Sequence, residues 1–203
     1  MSEAGRRTTN ETAADEAGLV RAAQAGDSRA FSEIVIRYQR AIYRVAYGFT
    51  RVPADADDLA QETFVRAYQA IGRFRVGEPL YPWLARIASN LALSLLRSRR
   101  RKPETPLEPL LEAGQQWGKE EDPGRAVMDR EQKEHLKQAL SELSPEHQAV
   151  LVLRGVEEMS YEEIARTLNV PLGTVMSRLS RARTELKTRL AAKTGETHEP
   201  PAS

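Results

Sequence analysis

Apolar residues recur along this chain at steps of three and four, the spacing that places them on one side of a helix. From Asp27 onward they fall at Phe31, Ile34, Tyr38, Ile42, Val45 and Phe49, a single buried stripe. Arg51-Val52-Pro53 breaks it. A second helix is predicted from Asp55 to Ile71, with Ala60, Phe64, Ala67 and Ile71 on one face. Acidic residues crowd its first turn, where the helix dipole favours them. Gly72 to Pro79 holds two glycines and a proline and reads as a loop. A third helix follows from Pro82 to Arg100, turning Leu84, Ile87, Ala88, Leu91 and Leu95 inward. These helices, with room for a short one before Asp27, suffice to close a small core.

The pattern lapses between Pro103 and Ala126. Four prolines stand there, three of them three residues apart, and six acidic residues face two basic ones. Such a segment reads as a partly extended linker. Trp117 within it has two readings, docking loosely on a neighbouring helix or meeting a partner. Periodicity resumes near Met128. Leu136, Leu140, Leu143, Val150, Leu151 and Leu153 give two helices divided at Ser144-Pro145, a serine that can cap followed by a proline at the first helical position. Ser160-Tyr161-Glu162-Glu163 has the spacing of a capping box, in which serine and glutamate satisfy each other's free amides. The short helix it opens carries Ile164, Ala165 and Leu168. Asn169-Val170 turns the chain, and Pro171 begins a last helix with Val175, Leu179, Ala182, Leu186 and Leu190 inward.

The expected fold is all-α: two small helical domains joined by a flexible acidic, proline-containing linker. The boundaries are a disordered tail over 1–18, a domain over 19–102, the linker over 103–127, a domain over 128–192 and a disordered tail over 193–203. A length of 203 residues suits two such domains. No apolar run is long enough to span a membrane, and the first residues lack the apolar stretch of a secretory signal. Cysteine is absent, so neither disulfides nor thiolate metal sites can form, which fits a cytoplasmic protein.

Charge changes the picture through its distribution. The totals nearly cancel, 30 basic residues against 29 acidic. Yet Arg97 to Lys102 holds five positive charges in six positions, and Gly173 to Leu190 holds five (Arg178, Arg181, Arg183, Lys187, Arg189) against Glu185 alone. Acid gathers in Asp55 to Glu62, in the linker and in Glu157 to Glu163. Separated signs suggest one surface for phosphates and another for a protein partner. The helices over 160–168 and 171–190, with a turn of two or three residues, have the spacing of a helix-turn-helix. Thr174, Ser177, Arg178 and Arg181 share the outward arc of the second helix, where hydroxyls and guanidinium groups reach base edges and phosphates. In the first domain Arg73, Arg75, Arg86, Arg97, Arg99, Arg100 and Arg101 surround Phe74, Tyr81 and Trp83. Aromatics among positive charges suit stacking on unpaired bases, and core packing is the competing reading for Phe74 and Trp83.

At these residues the sequence resembles the extracytoplasmic-function group of sigma factors in the sigma-70 family. The matching runs are Asp57-Asp58-Leu59-Ala60-Gln61-Glu62-Thr63-Phe64, Pro82-Trp83-Leu84-Ala85-Arg86-Ile87-Ala88-Ser89-Asn90-Leu91-Ala92, Ser160-Tyr161-Glu162-Glu163-Ile164-Ala165 and Val170-Pro171-Leu172-Gly173-Thr174-Val175. The resemblance implies that the first domain is like region 2, which binds the clamp helices of the polymerase largest subunit and opens the −10 element. Asp58, Gln61 and Glu62 match its polymerase-facing motif. Arg86 and Asn90 match helix positions facing −10 DNA, and the 72–81 loop, with Arg73 and Phe74, matches the one that holds a flipped base. The second domain resembles region 4, whose last helix reads the −35 element and which meets the flap of the second-largest subunit. Thr174, Ser177, Arg178 and Arg181 fall on its DNA side. The linker takes the place of the connector that threads toward the polymerase active centre. An anti-sigma protein is a further implied partner. This chain departs from the family at Met176, where lysine is usual, at Leu80-Tyr81, where phenylalanine-arginine is frequent, and in its short polar extension beyond Leu190.

The function so implied is to guide core polymerase to −35/−10 promoters and to assist their melting. No enzymatic chemistry is expected: phosphate-binding glycine loops and nucleophile–base sets are absent, and His135, His147 and His198 are scattered. No cofactor or metal is expected either. The rivals are an autonomous helix-turn-helix regulator, which leaves the acidic motif idle, and an interaction protein whose basic helix meets acidic protein.

Overall fold

The computed structural model describes residues 15–101, 132 and 134–194, and every α-helix or 3-10 turn among them is accounted for without a strand. The linker expected over 103–127, Trp117 and residues 1–14 and 195–203 lie outside the described residues. The chain divides into two compact units, one running to Ser94 and including Arg166–Asn169, the other Leu95–Ala165 with the residues from Val170; each helix is assigned to the unit that holds most of it.

The first unit opens with α1 (15–24), which takes in residues 15–18 of the expected tail and buries Val20 and Ala23. Gly26 ends it at φ 93°, a conformation glycine adopts without a Cβ penalty, and the Asp27 amide closes on the Ala22 carbonyl at 3.0 Å. Asp27 then caps α2 (Ser28–Thr50), its carboxylate accepting from the Arg29 and Ala30 amides. Of the stripe read from the sequence, Phe31, Ile34, Ile42, Val45 and Phe49 are buried. Tyr38 is half-buried, with its hydroxyl donating to the Glu16 carboxylate.

Arg51 turns the chain out of α2 in the left-handed region, φ 57°, and its amide bonds the Tyr47 carbonyl at 2.9 Å. α3 (Pro53–Ala70) starts at Pro53, two residues before the position read from the sequence. Proline suits that place, since its ring presets φ and the amide it lacks would have had no partner. α3 packs on α2 through Ala56, Leu59, Thr63, Phe64 and Ala67, while Ala60 stays partly exposed. Buried Thr63 spends its hydroxyl on the Leu59 carbonyl at 2.7 Å. A 3-10 turn, Ile71–Arg73, leads into the loop.

α4 (Leu80–Arg101) begins before Pro82, which sits in the first turn, where amides lack intrahelical acceptors. Its buried face is Leu80, Leu84, Ala85, Ala88, Ser89, Ala92 and Leu93. Ile87, Leu91 and Leu95, expected inward, are only partly covered. The core face of α4 thus mixes leucines with alanines and a serine, and Ile87, Leu91 and Leu95 flank it.

The second unit contains α5 (134–141), α6 (Pro145–Gly155), α7 (Tyr161–Leu168) and α8 (Leu172–Thr194). Ser144 caps α6 by accepting from the His147 amide at 3.1 Å, with Pro145 behind it. The capping box at α7 is complete: Ser160 Oγ accepts from the Glu163 amide at 3.2 Å, and Glu163 accepts from the Ser160 amide at 2.7 Å. α7 ends at Asn169, φ 53°, with the Val170 amide reaching back to the Ala165 carbonyl at 3.0 Å. Asparagine tolerates that conformation better than most residues. Pro171 precedes α8, its carbonyl accepting from the Thr174 and Val175 amides. α8 packs on α6, and Leu140, Leu143, Val150, Leu153, Ile164, Val175, Leu179 and Ala182 form the core. Leu136 is exposed, and Leu151, Leu186 and Leu190 are partly covered. No helix among the described residues is long and apolar enough to cross a membrane.

Two substitutions separate packing from capping. Leu84→Ala empties a fully buried site and is expected to lower stability by about 2–5 kcal/mol. Ser160→Ala removes one half of the capping box and is expected to lower it by about 1 kcal/mol. Urea denaturation followed by circular dichroism measures both, and equal losses would contradict this ranking.

Candidate functional site

The outward arc of α8 forms as its spacing predicts. Val175, Leu179 and Ala182 are buried on one side, Ser177 and Arg181 are exposed on another, and Thr174 and Arg178 are partly covered at the margin. Ser177 Oγ donates to the Thr174 carbonyl at 3.1 Å, which steadies the first turn and leaves the oxygen able to accept. Two apolar side chains stand exposed on the same helix, Leu172 at 41% and Met176 at 53%. The sequence carried that signal as an absent lysine only.

The positive charge of α8 is not all available to a ligand. Arg189 bonds Glu142 and Glu185, each at 2.7 Å, and Lys193 reaches Glu142 at 2.8 Å. His147 Nδ1 lies 2.9 Å from the other Glu185 oxygen. This network ties the C-terminal half of α8 to the end of α5 and to α6. Arg189, counted with the phosphate-facing cations in the sequence, belongs to it. Lys193 and then Arg189 hold the Glu142 carboxyl below its ordinary range, and Arg189 and then His147 do the same to Glu185.

On α3, Asp58, Gln61 and Glu62 fall three and four residues apart and share one face; Asp58 and Gln61 are exposed and Glu62 is partly covered. Glu62 pairs with Arg66 at 2.7 Å, so this stripe is not purely acidic. Val65 and Tyr68 continue it, 50% and 53% exposed, with Phe31 packed edge-on to Tyr68 at 5.0 Å. A polar stripe that runs into exposed apolar side chains is the composition of a protein interface more than of a solvated face. Val65 was missed in the sequence, although it stands seven residues after Asp58.

On α4, Arg86 and Asn90 are one turn apart and exposed. Trp83 stands one turn before Arg86 and is partly covered. Phe74 is buried, 7% exposed, with its ring 4.9 Å from that of Trp83. Of the two readings open for Phe74, packing describes its place here: the ring fastens the loop to the start of α4 instead of facing outward. Arg73 beside it is exposed, as are Arg75, Gly77, Glu78 and Pro79. Gly77 makes the turn at φ 91°, and the Glu78 amide bonds the Arg75 carbonyl at 3.2 Å. Among the described residues no group of three or more histidines, cysteines or acids is placed to hold a metal ion.

The chain matches two sequence families, sigma-70 region 2 over residues 34–102 and sigma-70 region 4 over residues 133–186. It is 38% identical over 170 residues to the RNA polymerase sigma-H factor of Pseudomonas aeruginosa, covering 81% of this chain and 88% of that one. It is 35% identical over 172 residues to the ECF RNA polymerase sigma factor SigW of Bacillus subtilis, covering 81% and 91%. Among solved structures it is similar to CnrH in complex with the cytosolic domain of CnrY, with a TM-score of 0.62, 28% identity and coverage of 88% and 98%. It is also similar to the sigma factor RpoE in complex with the anti-sigma factor NepR from Bartonella quintana, with a TM-score of 0.60, 25% identity and coverage of 83% and 98%.

The Glu142–Arg189–Glu185 network predicts a pH dependence of defined sign. A carboxyl held below its unfolded value adds stability that is present above the ordinary carboxylate range and lost as pH falls through the depressed value. Arg189→Gln is therefore expected to destabilise the chain near neutral pH and to change it little at an acid pH below the depressed values of Glu142 and Glu185. Denaturation at both pH values, in low and high salt, measures this. An equal loss at both would assign Arg189 a packing role.

Proposed function

The chain belongs to the extracytoplasmic-function group of the sigma-70 family, and from this premise we propose how its exposed faces divide the work of initiation. Its function is that of the family: it directs RNA polymerase to promoters and is regulatory, not catalytic. The observation that carries the division is that each unit exposes its own polar and charged faces. The 34–102 match holds the Asp58–Tyr68 stripe and the Arg86–Asn90 face of α4, and the 133–186 match holds the outward arc of α8.

In this proposal the first domain, 19–102, meets core polymerase through Asp58, Gln61 and Glu62, which contact the clamp helices of the largest subunit, with Val65 and Tyr68 as apolar anchors. Arg86 and Asn90 face the −10 element, Arg73 meets the displaced strand, and Phe74 fixes the loop that presents Arg73. The second domain, 128–192, docks on the flap of the second-largest subunit. Its α7–α8 pair acts as a helix-turn-helix that reads the −35 element with Thr174, Ser177, Arg178 and Arg181. The 103–127 segment connects the two as a flexible acidic strand. Two modest DNA contacts on one chain bind together far more tightly than either alone. The complex of RpoE with the anti-sigma factor NepR supports control of this chain by an anti-sigma protein, and the cytosolic domain bound to CnrH supports action in the cytoplasm.

The test is run-off transcription with purified core polymerase and a library of genomic promoters. New start sites preceded by shared −35 and −10 elements are expected. Arg181→Ala is expected to reduce initiation by roughly ten- to a hundredfold at sites that depend on −35. Asp58→Arg is expected to weaken binding to core with the free chain still folded. Tight, sequence-specific binding of duplex DNA by the free protein, with no added initiation, would instead support an autonomous regulator.

A further inference from the structure

The 71–80 loop is gripped by α1, a helix N-terminal to the matched region 2 residues and given no part in the scheme above. The Gln24 side-chain amide donates to two carbonyls, Ile71 at 2.9 Å and Phe74 at 2.7 Å. Both lie about fifty residues away in the chain, so the bonds are tertiary. Eight residues earlier, just over two helical turns and so on the same face of α1, Glu16 accepts from the Leu80 amide at 2.9 Å. Its other oxygen takes the Tyr38 hydroxyl, and the Tyr38 ring stacks on that of Tyr81 at 6.3 Å.

These bonds fall at the two ends of the loop. Ile71 and Phe74 bracket its start: the Ile71 carbonyl accepts from the Phe74 amide at 3.0 Å and from Gln24 as a second donor, and the Phe74 carbonyl accepts from Gln24. Leu80 is the first residue of α4, and its amide has no intrahelical acceptor. Phe74 is held twice, by its carbonyl on Gln24 and by its ring on Trp83. The exposed residues Arg75, Gly77, Glu78 and Pro79 therefore span two fixed points, with Gly77 supplying the left-handed turn that lets the span close.

We propose that α1 is a positioning element for strand capture: Glu16 and Gln24 set the geometry of the 71–80 loop before DNA arrives. Preorganisation of this kind raises affinity by removing the ordering cost from the binding step. The proposal rests on the reading of that loop as a −10 contact. Neither side chain touches DNA in it; both act through the loop backbone.

Gln24→Glu is the discriminating substitution. It keeps size and shape, but a carboxylate cannot donate to two carbonyls. In the full-length free chain, hydrogen exchange at the Phe74, Glu78 and Leu80 amides is expected to rise roughly tenfold, with the melting temperature little changed. Holoenzyme carrying the variant is expected to bind a single-stranded non-template −10 oligonucleotide roughly tenfold more weakly. Affinities for core polymerase and for a −35 duplex should stay as in the parent. Unchanged exchange, unchanged oligonucleotide binding, or an equal fall in all three affinities would each overturn the proposal. Arg73→Ala, measured alongside, tells the two failures apart. If it weakens oligonucleotide binding while Gln24→Glu does not, only the role of α1 fails; if neither does, the reading of the loop fails too.

Discussion

A helix that stops leaves amides and carbonyls without intrahelical partners, and a chain built of short helices meets that constraint at every corner. The connections between its helices are solutions to that constraint. Asp27 satisfies the start of α2, Ser144 the start of α6, and Ser160 with Glu163 the start of α7. Elsewhere a distant residue serves, as Glu16 does for the Leu80 amide and Gln24 for the Phe74 carbonyl, Gln24 also joining the Phe74 amide as a second donor to the Ile71 carbonyl. The same bonds that finish a helix fix the loop beyond it.

Electrostatics follows from this geometry. A count of cations along α8 overstates what the helix offers to phosphates, because Arg189 and Lys193 are engaged with carboxylates at its far end. The engaged charges anchor α8 on α5 and α6, and Ser177 and Arg181 project from the N-terminal half of the anchored helix. Ion pairs hold one end of this long helix and leave exposed polar side chains at the other. On α3 the opposite occurs: Glu62 is partly neutralised by Arg66, and exposed Val65 and Tyr68 lend the polar stripe the apolar content a protein interface needs.

Much of this was legible in the residues. Spacing located α2, α3, α4, α6, α7 and α8, and turn chemistry located their ends at Ser144-Pro145, Ser160–Glu163 and Asn169, because caps and periodicity are local properties. The outward arc of α8 followed from the same arithmetic. The inward face of α4 followed only in part: Leu84 and Ala88 are buried as expected, whereas Ile87, Leu91 and Leu95 are partly covered and Leu80, Ala85, Ser89, Ala92 and Leu93 complete the face. Periodicity favours large apolar residues and does not by itself choose between adjoining faces of one helix. Helix starts shifted by two residues at Pro53 and Leu80, since proline is compatible with the whole first turn and does not by itself mark which position it takes.

The sequence by itself determined the helical content, the two-part organisation and the family, through short-range patterns that each run of residues carries alone. Only the tertiary structure decided which charged and aromatic side chains remain outward. Phe74 shares its loop with Arg73 and Arg189 its helix with Arg181, yet Phe74 is buried on Trp83 and Arg189 is bound between two glutamates, whereas Arg73 and Arg181 are exposed. Those fates depend on partners that are distant along the chain, and no local pattern encodes the distance. The grip of α1 on the 71–80 loop is of the same kind. It joins residues about fifty positions apart, and it exists only once the helices between them have packed.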